Sequence, residues 1–106
     1  MLVTLEEIEL IVAENPFPGG EADPKSLHVA FLSAPPSTAK LGKLAGFATA
    51  TEKWRLAGQT LYFWAPEGFG RSKFPTAAER MLGVPATFRN WRTVTTMLDL
   101  ARRLAP

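Results

Sequence analysis

The sequence contains no cysteine and only one histidine, His28. The absence of cysteine excludes disulfide bonds, thiolate metal sites and cysteine nucleophiles together. His28 has no second ligand at metal-site spacing, and a lone histidine in a strand is most often a packed or surface side chain. No apolar run approaches the ~18 residues of a membrane span. The N-terminus also lacks the basic stretch that precedes the apolar part of a signal peptide, so we expect a cytoplasmic protein.

Basic residues are missing from the first 24 positions, which hold six acids. All 12 Lys and Arg residues lie in 25–106, against four acids. Such a split is typical of a protein body that attracts anions. It is also typical of a solvated acidic helix beside a solvated basic surface. The 106 residues, 46% hydrophobic and 21% charged, indicate one globular domain over 1–106.

The first predicted element is a helix that begins with a capping box. Thr4 and Glu7 have the spacing at which each side chain can bind the other's main-chain N–H. The two prolines and two glycines in residues 16–20 end this helix. A strand is predicted over 27–33, and Ser37 is a candidate cap for a short helix. The apolar positions of the two helices are Leu5, Ile8, Ile11 and Val12 in the first, and Leu41, Leu44 and Ala45 in the second.

Residues 53–64 predict a β-hairpin around Gly58 and Gln59. Glycine at the first position of a two-residue turn favours type II′. A shift of one residue would move every side chain to the wrong face, so the pattern specifies one register. This register pairs Leu56 with Leu61 and Trp54 with Phe63 on an apolar face, and Arg55 with Tyr62 and Lys53 with Trp64 on a cationic and aromatic face.

Two more helices and a short strand are predicted downstream. One helix begins between Ser72 and Thr76 and ends before Gly83, since glycine readily adopts the left-handed backbone that follows a helix. Residues 86–89 read as a short extended piece, after which Asn90 caps the last helix. The buried faces are Phe74, Ala77, Ala78 and Met81 in the first of these helices, and Val94, Leu98, Ala101 and Ala105 in the second.

Apart from the first and last helices, the predicted order is β-α-β-β-α-β, which is typical of the ferredoxin-like α/β plait. The expected fold class is α+β, with two helices on one face of an antiparallel sheet and an extra helix at each end of the chain. The other face of the sheet is expected to be open. It is predicted to carry His28, Leu32, Lys53, Arg55, Tyr62 and Trp64.

Two segments depart from generic patterns: residues 68–73 (Gly-Phe-Gly-Arg-Ser-Lys) and 84–94. Two further segments are considered with them: residues 15–17 (Asn-Pro-Phe) and 27–32 (Leu-His-Val-Ala-Phe-Leu). Together they resemble a bacterial family of uncharacterised proteins, domain-of-unknown-function family 1697. The resemblance is to the C-terminal half of that family, because the glycine-rich stretch of its N-terminal half has no counterpart here. It implies an α/β plait excised from a longer two-domain protein, and it implies no known activity.

The segment 68–73 has two interpretations. Its glycines and the following helix start would let main-chain N–H groups approach a phosphate, and Arg71 and Lys73 would add positive charge. Alternatively, it is a turn that needs glycine for its backbone angles and Ser72 for a helix cap. The spacing matches neither a P-loop nor a dinucleotide-binding fingerprint. The candidate anion site comprises Gly68, Gly70, Arg71, Ser72, Lys73, Arg89 and Arg92.

No set of residues indicates catalysis. Ser72 and Lys73 are adjacent, so on a helix they would point about 100° apart and the amine could not readily deprotonate the hydroxyl. We expect no cofactor and a non-catalytic interaction domain whose open sheet face docks onto its own N-terminal half or a second copy of the chain. The alternative is a nucleic-acid or nucleotide-binding domain, in which bases stack on sheet aromatics. No membrane partner is expected.

Overall fold

The chain enters its fold through the predicted capping box, in a computed structural model that describes residues 4–104. The Thr4 hydroxyl accepts from the main-chain N–H of Glu7 at 3.1 Å, and the Glu7 carboxylate accepts from that of Thr4 at 3.2 Å. Helix α1, Leu5–Ala13, follows and buries Ile8 and Ile11. A 3-10 turn at Pro18–Ala22 then leads to the sheet.

Four strands form one antiparallel sheet. The strand order is β2-β3-β1-β4, so β1 and β3 are central and β2 and β4 are the edges. All six residues of β1 are buried, as expected for a central strand covered on both faces. The strands are β1 (Leu27–Leu32), β2 (Lys53–Ala57), β3 (Thr60–Trp64) and β4 (Ala86–Asn90).

The β2–β3 hairpin has the predicted register. Leu56 lies opposite Leu61, and Arg55 lies opposite Tyr62. Gly58 has a φ angle of +59°, and among the described residues no amino acid other than glycine has a positive φ. A positive angle at the first turn residue but not at the second distinguishes type II′ from type I′.

Four α-helices surround the sheet within residues 4–104, and none of them is long and apolar enough to cross a membrane. Gly83 ends one helix in the left-handed conformation, at φ +72°. Asn90 caps the next through a 2.9 Å bond from the Thr93 N–H. Both ends agree with prediction. The helices after α1 are α2 (Leu41–Ala45), α3 (Phe74–Leu82) and α4 (Trp91–Leu104), and a 3-10 turn at Phe69–Arg71 precedes α3.

The prediction that Ser37 caps the second helix was wrong. The Ser37 hydroxyl accepts from the N–H of Ala39 at 3.3 Å within the preceding loop. Helix α2 begins later and has Lys40 at its N-cap position, without a side-chain cap. The predicted contribution of Ala105 to the last helix falls outside the described residues.

The helices lie on both faces of the sheet. Helices α2 and α3 pack on one face, and α1 and α4 pack on the other. An α+β fold with a four-stranded antiparallel sheet and four helices is therefore confirmed. The core on the α2/α3 face comprises Ala30, Leu32, Leu44, Leu61, Phe63, Ala65, Phe74, Ala77, Ala78 and Leu82. The core on the α1/α4 face comprises Ile11, Leu27, Val29, Phe31, Tyr62, Trp91 and Val94.

Candidate functional site

The six side chains predicted to share an open sheet face do not share one. Cross-strand partners point to the same side of a sheet, and neighbours along a strand alternate. His28 lies opposite Phe63, whereas Val29 lies opposite Tyr62. His28 and Leu32 therefore face the α2/α3 side, and the other four residues face the α1/α4 side. The prediction was wrong because the hairpin pattern did not fix which face of β1 continues each face of β3.

The sheet face that holds Tyr62 is not open. The side chain is 2% exposed, and its hydroxyl donates to the main-chain carbonyl of Ile11 in α1 at 2.7 Å. Burial and the negative charge of Glu14 raise the pKa of Tyr62 to about 12, although Arg55 acts in the opposite direction. Helices α1 and α4, which were predicted as extra helices at the two ends of the plait, cover this face.

Trp64 is held in place by the loop after α1. Its Nε1–H donates to the Ser26 hydroxyl at 3.1 Å, and its ring lies 6.0 Å from that of Phe17. A Cβ atom at Gly19 or Gly20 would lie within 3.1–3.2 Å of the indole. The two glycines therefore let the main chain lie against Trp64, which acts as a packing anchor and not as a free docking residue.

Lys53 and Arg55 are the members of the predicted face that remain exposed. They lie on the edge strand β2, opposite Trp64 and Tyr62. Because Tyr62 is buried and Trp64 is half-buried against Phe17, the cations have little accessible ring surface beside them. This face therefore lacks the row of open aromatic rings on which bases stack in that binding mode.

His28 is buried beneath the turn at Phe69–Arg71. Its ring stacks on Phe69 with centroids 3.7 Å apart and an interplanar angle of 17°. Its Nδ1 atom is buried and has no hydrogen-bond partner among residues 4–104. Desolvation lowers the pKa of His28 to about 4, so the ring is neutral at pH 7. The described part of the chain has no group of three or more His, Cys, Asp or Glu residues that could hold a metal.

The candidate anion turn is organised by its own side chains. Gly68 has a φ angle of +125°, and Gly70 does not have a positive φ. The Ser72 hydroxyl accepts from the N–H of Phe74 at 3.1 Å, which occupies one of the donors that an anion would need. Lys73 is exposed at the N-cap position of α3, without a side-chain cap bond.

The cations of the candidate anion site are not brought together. Arg71 lines a cleft of about 250 Å³ that also contains Glu52 and Glu67, whose carboxylates disfavour an anion there. Arg89 pairs with Val29 and so faces the α1/α4 side, away from the Phe69 turn. Arg92 is exposed in the first turn of α4. The turn and the two later arginines therefore form no common site.

The largest exposed apolar side chains lie on the outer face of α1 and α4. Leu10 is 57% exposed, Leu100 51% and Leu104 84%. A groove of about 530 Å³ runs between the two helices and has Leu10 and Leu98 in its lining. We call this surface the helical face: the outward side chains of α1 and α4.

Sequence reasoning missed the helical face, although its leucines carry a signal. Leu10 falls between Ile8 and Ile11, outside the apolar stripe of α1, and Leu100 lies two residues after the buried Leu98. A leucine on the polar side of an amphipathic helix points away from the chain's own core and is not buried in it. That mismatch was available from the sequence.

The helical face is divided by charge. The groove is bridged by an ion pair between Arg102 and Glu9 at 3.5 Å. The charged residues are Glu6, Glu7, Glu9 and the capping Glu14 on α1, and Arg92, Asp99, Arg102 and Arg103 on α4.

A family model described as "Protein of unknown function (DUF1697)" matches residues 1–62 of the 106. This range contains two of the four resembling segments, 15–17 and 27–32, whereas 68–73 and 84–94 lie beyond it. The match occupies the N-terminal part of the chain and does not bear out a correspondence to the family's C-terminal half. No curated protein and no solved structure matches the chain.

Proposed function

Because the chain belongs to the DUF1697 family, whose description assigns no function, we propose from its geometry that it is a non-catalytic interaction domain. It docks onto another protein domain through the helical face, and not through the sheet. The observation that carries this proposal is the exposure of Leu10 on α1 and of Leu100 and Leu104 on the neighbouring helix α4. Grouped apolar side chains on a soluble surface usually mark a contact site.

The ionisable groups of the core support a role without catalysis. Tyr62 is bonded to Ile11 and resists ionisation. His28 is neutral at pH 7 and stacked under Phe69. A general acid or base needs a pKa near the working pH and a path to substrate. Neither group has such a pKa, and both rings are buried.

We also propose that the sheet and its two enclosed helices form a ferredoxin-like α/β plait. The strand order β2-β3-β1-β4 and the antiparallel pairing of all neighbours support it. So does the position of α2 and α3 on a single face. In this arrangement the two helices of the plait leave the other face of the sheet uncovered. Helices α1 and α4 cover that face, and their outward side chains form the surface there.

The resemblance of residues 68–73 and 84–94 suggests one candidate partner, the N-terminal half of longer family members. We propose that such a half docks on the helical face when both are present in one protein. No specific observation favours the nucleic-acid alternative, because the cations of the candidate anion site are dispersed and the rings of Tyr62 and Trp64 are packed against other parts of the chain. It remains one outcome of the experiment below.

The experiment is an amide NMR titration of the ¹⁵N-labelled chain. One series raises the concentration of the chain itself, a second adds an N-terminal half from a longer family member, and a third adds single-stranded RNA. We expect changes in at least one of the first two series, concentrated in α1 and α4. Leu100→Ser should reduce them, whereas Lys43→Ser, at an exposed position of α2 on the other side of the sheet, should not.

Two outcomes would reject the proposal. Absence of change in both protein series would remove the docking role. Changes confined to β2 and the Phe69–Arg71 turn on adding RNA, with an affinity that falls as salt rises, would favour the nucleic-acid alternative.

A further inference from the structure

Six charged residues of the helical face form no ion pair within residues 4–104. Glu9 and Arg102 pair with each other across the groove, and they form the one ion pair found in residues 4–104. The others are Glu6, Glu7 and Glu14 on the α1 side and Arg92, Asp99 and Arg103 on α4, all exposed. The α1 side of the face is therefore negative and the α4 side is net positive, and each side has charged residues outside the one ion pair.

Each half combines this charge with an exposed leucine. On α1, Leu10 lies one helical turn from both Glu6 and Glu14, so the three side chains form one stripe. On α4, Leu100 lies three residues before Arg103 and four before Leu104, so these also share a side. An acidic stripe with a central leucine therefore lies beside a helix that is net basic, despite Asp99, and has its own exposed leucines.

We propose that the helical face binds a second copy of the chain in a symmetric dimer, an inference that rests on the docking function proposed above. A two-fold axis that lies in the plane of contact, roughly parallel to the two helices, places α1 of each copy over α4 of the other. Leu10 of each copy then contacts Leu100 of the other, and the unpaired acids of α1 lie opposite the unpaired arginines of α4. Symmetry makes each of these contacts occur twice. Such an isologous contact requires a self-complementary surface, and a face divided into two opposite halves has that property.

The charge pattern favours a second copy over an unrelated basic or acidic segment. A basic partner helix would match α1 but would repel Arg92 and Arg103. An acidic partner would match α4 and repel α1. Only a partner with both signs, in the opposite order, satisfies the whole face, and the chain itself is such a partner.

The size of the face indicates a small interface. The 14 residues of α4 are about 21 Å long, and two adjacent helices are about 20 Å wide. The footprint is therefore about 400 Å² on each copy, below the ~800 Å² per partner of a standard interface. An interface of this size belongs to the weak, transient class, so we expect reversible association that is detected only at high concentration.

The test uses two charge-reversed chains and sedimentation velocity. The first carries Glu6→Lys and Glu14→Lys, and the second carries Arg92→Glu and Arg103→Glu. The first variant removes the net negative charge from the α1 side and places lysines where the partner's arginines would lie, and the helical face of the second is almost wholly acidic, so each should stay monomeric at 300 µM. Mixed in equal amounts, they should form a one-to-one heterodimer, because both symmetric contacts become attractive again.

Controls separate this result from misfolding and from net charge. Both reversed chains should keep the far-UV circular dichroism of the wild type. A chain with Lys40→Glu and Lys43→Glu on the α2 side has the same net charge as the second variant and should dimerise like the wild type. Leu100→Ser should weaken the dimer at least tenfold without any change of charge.

A wild-type chain that stays monomeric to 1 mM overturns the dimer, and so does a mixture of the two reversed chains that does not associate. Either result leaves the docking function intact if an N-terminal half of a longer family member still perturbs α1 and α4. Absence of both effects rejects the docking function as well.

Discussion

The Tyr62 hydroxyl donates to the main-chain carbonyl of Ile11 at 2.7 Å, joining the centre of the sheet to the last turn of α1. This carbonyl is among the last four of the helix, which lack partners within the helix itself. The bond therefore satisfies a buried acceptor and fastens α1 to the sheet.

Replacing Tyr62 by Phe should remove this bond with little change in ring packing. An unpaired buried carbonyl costs about 1–3 kcal/mol, so we expect a lower free energy of unfolding in urea. Amide exchange should accelerate mainly in α1. Equal acceleration in α3, on the other face of the sheet, would contradict a local role.

The ionisation of Tyr62 can be measured without interference, because it is the only tyrosine in the chain. Absorbance at 295 nm should give a midpoint near pH 12 in the folded protein, against about 10 in urea. The raised pKa means that stability present below pH 10 is lost as the pH rises towards 12. Glu14→Gln should lower the folded midpoint, since one negative charge is removed. A midpoint of 10 in the folded chain would contradict the burial of this side chain.

His28 should make the protein sensitive to acid. Its pKa is about 4 when folded, against 6.5 in the unfolded chain, so the unfolded state binds more protons between these values. Stability present above pH 6.5 is then lost as the pH falls to about 4, by at most about 3 kcal/mol. His28→Phe keeps a ring against Phe69 but cannot titrate. Its urea midpoint should therefore change less over this range, and parallel pH profiles for the two proteins would contradict the assignment.

Two glycines in one turn should differ in their tolerance of alanine. Gly68 has a φ angle of +125°, which side chains rarely adopt, whereas Gly70 has an ordinary φ and open space at its Cβ position. We expect Gly68→Ala to cost about 1–3 kcal/mol and Gly70→Ala to be close to neutral. Urea unfolding of the pair gives the comparison directly. A larger loss for Gly70→Ala would show that the turn is constrained by something other than its backbone.

Gly20 and Gly42 form a second matched pair. A Cβ at Gly20 would lie 3.1 Å from the Leu27 Cβ and 3.2 Å from the Trp64 indole, and one at Gly42 would meet nothing within 4 Å. Gly20→Ala should destabilise the protein by about 1–3 kcal/mol and alter the near-UV circular dichroism of Trp64. Gly42→Ala should stabilise α2 by about 0.5–1 kcal/mol. An unchanged spectrum for Gly20→Ala would mean that the indole can move away.

The features that sequence predicted correctly depend on neighbours in the chain. The capping box at Thr4, the register of the hairpin around Gly58 and the end of α3 at Gly83 each follow from a few adjacent residues. Their physical causes are local main-chain hydrogen bonds and φ angles, which the sequence records directly.

The features that it missed depend on contacts between distant segments. Whether His28 lies on the side of Tyr62 or of Phe63 is decided by the pairing of β1 with β3, which no local pattern contains. The burial of Tyr62 depends on α1, 51 residues away. The predicted sheet face depended both on the pairing of β1 with β3 and on the packing of α1, so it was the least predictable part of the chain.

The two edge strands have a consequence for aggregation. A free strand edge is a template on which another sheet can extend, and short, charged edges oppose such growth. Strand β2 is five residues long and exposes Lys53 and Arg55, and β4 is equally short and exposes Arg89. Fibril-like growth along the sheet is thereby disfavoured at both ends, even at concentrations high enough for the chains to meet often. Chains that meet can then associate through the helical face without forming a sheet that extends from chain to chain.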